Sequence, residues 1–82
     1  MKLTDAEVKV KARQVQLDVT QLANRHFTQN PMEVPKMMLW CEDLMFKLCA
    51  EQGLTISKSI RQKASVDVYV DFGHKIQIAF LT

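Results

Sequence analysis

Met37-Met38-Leu39-Trp40-Cys41-Glu42-Asp43-Leu44-Met45-Phe46-Lys47-Leu48-Cys49-Ala50 is the stretch that decides the architecture. Only Glu42, Asp43 and Lys47 interrupt its apolar run. A helix that is apolar almost all the way round has to be covered on several sides. One neighbouring helix cannot do this, so the rest of the 82-residue chain, or a second copy of it, must wrap the segment.

Working outward, Pro35 suits the first turn of this helix, where its missing N–H costs little. Gly53 is placed to end it in the left-handed conformation, with Leu54 as the following apolar contact. Helix 2 is therefore expected over about 35–52. Upstream, Thr4 followed by Glu7 is a capping box. Val8, Ala12, Val15, Val19, Leu22 and His26 then keep to one stripe by alternating steps of four and three. Asp5–Lys9 and Glu7–Lys11 stand at the favourable i,i+4 spacing. Helix 1 is expected over about 4–28, with Asn30-Pro31 as the turn. It outreaches helix 2 by roughly 10 Å, which leaves Val8, Val10 and Ala12 in need of another cover.

At the C-terminus Val66, Val68, Val70 and Phe72 alternate with Asp67, Tyr69 and Asp71. Ile76, Ile78 and Phe80 alternate with Gln77, Ala79 and Leu81. This is a β-hairpin over about 66–81, turning at Gly73. Directly opposed residues share a face, so a connection with an odd number of residues is required. A three-residue loop would pair Val70 with Ile76, Val68 with Ile78 and Asp71 with Lys75. Residues 55–65 admit two readings: a short helix Lys58–Ala64 capped by Ser57, or a loop, is favoured, and an irregular strand is the other. The expected fold is α+β in one domain, 1–82: a two-helix antiparallel hairpin, a short element and an antiparallel β-hairpin. A lone hairpin is marginal. Its edges call for strand addition by a second molecule, or for a third strand from within Leu54–Ile60.

Composition bounds the function. Hydrophobic residues make up 48% of the chain, which excludes a disordered tail. The net charge of +2, with acids and bases mixed, makes no strong electrostatic case for nucleic acid or an anionic membrane. Met1–Glu7 has no apolar signal core, and the longest apolar run is too short to span a bilayer. The expectation is a cytoplasmic protein without membrane contact. Both glycines are used structurally, which leaves none for a phosphate-cradling loop. There is no C-x-x-C, H-E-x-x-H or calcium loop, so no metal or cofactor is expected. Cys41 and Cys49 lie roughly 12 Å apart along one helix, too far for a disulfide. They read as small buried hydrophobes. Pairing either with His26 or His74 fails as a nucleophile, because the apolar setting raises a thiol pKa. Glu42 and Asp43 diverge by about 100°, and Asp67 and Asp71 stand some 13 Å apart. The chain reads as a non-enzyme with no catalytic residue.

What remains is binding. On helix 2 the polar stripe is Lys36, Asp43, Lys47 and Glu51, and Trp40 falls inside it. An aromatic among charges is a hot-spot candidate. Met37 and its neighbouring methionines add adaptable surface, and Tyr69, Ala79 and Leu81 form a second small patch. The expected function is a protein–protein interaction module, a homodimer acting as a stoichiometric inhibitor or adaptor through Trp40, Lys36, Asp43, Lys47, Met37, Tyr69 and Leu81. In size and lack of motif the chain is similar to phage and mobile-element inhibitors of host machinery. The alternative is DNA binding. Gln52–Ile60 resembles the turn and recognition helix of a helix-turn-helix, within the element order of a winged-helix domain, although Cys49 stands where a smaller residue is usual. That resemblance implies contacts from Lys58, Arg61, Lys63 and Lys75.

Overall fold

The computed structural model describes residues 2–80. Two helices come first, α1 (Asp5–Gln29) and α2 (Val34–Glu51). Three strands follow: β1 (Lys58–Arg61), β2 (Ser65–Tyr69) and β3 (Lys75–Ala79). The strands form one antiparallel sheet in the order β1-β2-β3. The fold is α+β, with α1 laid against β3 and α2 against β2.

Local chemistry sets the helix ends as the sequence implies. Glu7 N–H donates to Thr4 Oγ1 at 3.2 Å, and Thr4 N–H donates back to Glu7 Oε1 at 2.9 Å. That backbone bond from Thr4 holds the Glu7 carboxyl below its usual range. Helix α2 starts after Glu33, with Pro35 in the first turn. It ends in a Schellman motif: Leu54 N–H donates to Cys49 O at 2.9 Å and Gly53 N–H to Ala50 O at 3.1 Å, with Gly53 at φ 76°. Leu54 is buried as the closing apolar contact.

The core is one cluster. Helix α1 contributes Val8, Ala12, Val15, Val19 and Ala23; α2 contributes Met38, Cys41, Met45 and Cys49; the sheet contributes Val66, Val68, Val70, Ile76 and Ile78. The hairpin side of the sheet and the turn at Asp71–Gly73 lie against α1, and Val8 and Ala12 are buried there. Val10 points away and is exposed.

Several expectations need correction. Lys58–Ala64 is not a short helix: Lys58–Arg61 is a strand paired with β2, Ser59 opposite Val68 and Arg61 opposite Val66. Ser57 caps nothing; its N–H and Oγ both donate to Tyr69 O. A two-turn helix is marginal, whereas pairing satisfies the second edge of β2. The hairpin has a three-residue connection, but one position earlier than expected. Val68 pairs with Ile76, Val66 with Ile78 and Tyr69 with Lys75, and Val70 N–H donates to His74 O. Parity is kept, so the valines and isoleucines still share the buried face. The earlier turn follows from its chemistry: Phe72 and Gly73 both take positive φ, 60° and 75°, which matches the twist of a tight hairpin. The Asp71 carboxylate accepts the Thr55 N–H at 2.8 Å and ties the turn down. Phe72 consequently faces solvent instead of the core. On α1 the stripe ends at Ala23, because Leu22 has rotated toward solvent. The pairs Asp5–Lys9 and Glu7–Lys11 do not form. Asp5 is bonded to His74, Glu7 is occupied with Thr4, and Lys11 donates to Gln52.

Candidate functional site

Trp40 is half-buried, not a free aromatic on a charged stripe. It stacks on His26 of α1, with ring centroids 4.3 Å apart and planes 11° apart. Phe27 meets its edge at 5.2 Å. The three rings clamp the end of α1 to the start of α2. Met37 is half-buried nearby and lines an open cleft of about 690 Å³ with Phe27, Ile78 and Phe80.

Lys36, Asp43 and Lys47 are exposed on the side of α2 turned from the sheet. Beside them stand two residues that the sequence reading did not single out, Leu39 and Phe46, 45% and 40% exposed. They are seven residues apart, hence on one flank and about 10.5 Å apart along the axis. Between them Glu42 turns down onto β1, where it accepts the Ser59 hydroxyl and lies 3.9 Å from Arg61 Nε. This flank is apolar above and pinned below. Its signal in the sequence was the seven-residue spacing, masked by the apolar residues all around it.

The other expected site residues divide between faces. Tyr69 lies on the outer face of the sheet, away from both helices, with Lys58 on one side and Lys75 on the other in register. Lys58 Nζ is 4.7 Å from the Tyr69 ring centre. Arg61 lies on the opposite, helix-facing side, and Lys63 is exposed between β1 and β2. The four basic residues implied by the helix-turn-helix resemblance therefore do not converge, and the recognition helix that would carry three of them is absent. Ala79 is on the outer face with Tyr69; Leu81 lies outside the described residues.

Chemistry at the thiols is subdued. Cys41 and Cys49 are free and fully buried. Burial pushes both thiols up to about 11, with the Asp71 charge adding to the effect at Cys49. Among the described residues no group of three His, Cys, Asp or Glu side chains could hold a metal ion, and no helix is long and apolar enough to cross a membrane. Asp67, in the centre of the outer sheet face, is covered by two amides: Gln62 Nε2 and Gln77 Nε2 donate to it at 3.1 and 2.9 Å.

These features define a small module, a helix hairpin on a three-stranded antiparallel sheet, with an apolar flank on α2 and an open face on the sheet. No family model matches the chain, no curated protein matches it, and no solved structure matches its fold.

Proposed function

We propose that the protein is a non-enzymatic protein-binding module that forms a homodimer through the outer flank of α2 and serves as an adaptor or stoichiometric inhibitor. The observation that carries this is the pair Leu39 and Phe46, large apolar side chains left open two turns apart on a helix whose other large apolar side chains are buried or half-buried. Lys36, Asp43 and Lys47 border the pair with both signs of charge, the polar rim that interfaces commonly have. Surface area supports a second copy. The chain exposes 5679 Å², roughly 600 Å² more than the ~5,050 Å² typical of a folded monomer of this mass. The elongated shape, 40 × 22 × 16 Å, accounts for part of that excess, and a standard interface takes ~800 Å² from each partner. Trp40 supports the surface from behind, by holding α2 against α1.

Light scattering at micromolar concentration tests the reading. The expected result is a dimer that the double substitution Leu39→Glu/Phe46→Glu converts to a folded monomer. A wild-type chain that stays monomeric through the same range overturns the homodimer.

A further inference from the structure

The outer face of the sheet and the cleft beside it carry a second surface that the α2 flank does not use. Lys58, Tyr69 and Lys75 form one row across the three strands, their Cα atoms spanning about 10 Å. Lys75 also lines a cleft of about 230 Å³ between α1 and β3, together with Lys9, Ala12, Arg13, Gln16 and His74. Lys9 and Arg13 are one turn apart on α1. Among the described residues the only carboxylate partners within 4.0 Å of any cation are Glu42 for Arg61 and Asp5 for His74. Lys9, Arg13, Lys58 and Lys75 thus have no counter-charge of their own. Asp5, the natural partner of Lys9, is taken by His74. The edge carbonyl of Gln77, which would repel an anion here, accepts Gln16 Nε2 at 2.8 Å. The acids nearest the surface are hydrogen-bonded within the chain but keep their charge: Asp5 with His74, Asp67 under Gln62 and Gln77, and Asp71 with Thr55; the four cations Lys9, Arg13, Lys58 and Lys75 outnumber these three.

We infer that a single-stranded nucleic acid binds around the β3 edge, with phosphates at Lys75 on the outer face and at Lys9 and Arg13 on α1 behind it, and a base stacked on Tyr69. An aromatic ring on an open sheet, flanked by cations, is the arrangement that recognises unpaired bases along with their backbone. A duplex is disfavoured, because its paired and stacked bases cannot lay a face on the ring and the chain has no helix at 58–64 to enter a groove. The ammonium of Lys58 that now covers the ring is the group a phosphate draws aside as a base enters.

Fluorescence anisotropy of labelled 12-mers of deoxythymidine and of uridine, at 50 and 200 mM salt, provides the test. Three neutralised phosphates on a single strand give a log–log salt slope of about −2, or about a 20-fold loss across that range. Tyr69→Ala should weaken binding by about five- to a hundredfold while Tyr69→Phe retains it. Lys9→Gln/Arg13→Gln/Lys75→Gln should flatten the slope, and Lys36→Gln/Lys47→Gln on α2 should change nothing. Circular dichroism checks that each variant is folded, and the triple glutamine variant carries the test if Tyr69→Ala unfolds. Four results would each overturn the inference: no saturable binding at 50 mM salt, undiminished binding by the folded triple variant, equal binding of a blunt duplex, or full displacement by 1 mM inorganic phosphate. The two oligonucleotides separate a preference for DNA from one for RNA.

Discussion

Replacing Trp40 with alanine separates two roles for the most conspicuous side chain of α2. Were Trp40 an interface residue, Trp40→Ala would leave the folded chain about as stable as before. The geometry says otherwise. A fully buried tryptophan cut to alanine costs about 3–5 kcal/mol. Trp40 is half-buried, so roughly half of that applies. Its stack on His26 and edge contact with Phe27 each add about 0.5–1.5 kcal/mol beyond area alone. We expect a loss of about 2.5–5.5 kcal/mol. Against a total of about 4–12 kcal/mol for a chain of this length, that is a large share, and it lowers the thermal midpoint by about 10 °C or more. Urea denaturation followed by far-ultraviolet circular dichroism measures it without relying on the deleted fluorophore. A double-mutant cycle with His26→Ala should show a coupling of about 1 kcal/mol. A loss below about 0.5 kcal/mol, the range of ordinary surface changes, would refute the clamp and return Trp40 to the interface.

Two further outcomes follow from local geometry. Gly53→Ala meets no atom within 4 Å of the new Cβ, so its cost is that of holding an L-residue at φ 76°, about 1–2 kcal/mol, read as a lower urea midpoint with unchanged slope. The Cys41 and Cys49 thiols are raised to about 11 in the folded chain, above the ordinary value near 8.5. The folded state therefore holds these protons more tightly than the unfolded one. Their contribution is complete below about pH 8.5 and is lost as pH rises toward 11, at up to roughly 3 kcal/mol for each thiol. Alkaline thermal melts should show a falling midpoint in wild type and a smaller fall in Cys41→Ala/Cys49→Ala.

The parts of this fold legible in the sequence are those fixed within a few residues. Thr4 and Glu7 close a capping box by themselves, and Gly53 with Leu54 closes a Schellman motif. Parity along Val66–Val70 and Ile76–Ile78 alone puts both sets on one face. What was not legible depends on partners distant in the chain. Lys58–Arg61 carries no strong strand pattern, and it becomes a strand because β2 has an edge to pair. The hairpin register slipped by two residues because two registers of equal parity bury the same residues, and the turn at Phe72 and Gly73 decided between them. Phase drift along 25 residues of α1 exchanged Leu22 for Ala23. Helical spacing put Lys36, Asp43 and Lys47 on one polar stripe of α2, and all three are exposed. Leu39 and Phe46 were hidden because every neighbour is also apolar, and only the position of the sheet shows which side of α2 is left open.

Asp43 sits between Leu39 and Phe46 along α2, is exposed, and offers the most direct reading of whether that flank is covered. In Asp43→Cys the new thiol is the only accessible one, since Cys41 and Cys49 are sealed in the core. If a second copy covers α2, the labelling rate at position 43 falls at least tenfold as protein concentration rises from nanomolar to about 100 micromolar, the usual range for a specific dimer. A labelling rate that stays constant across that range would contradict the account.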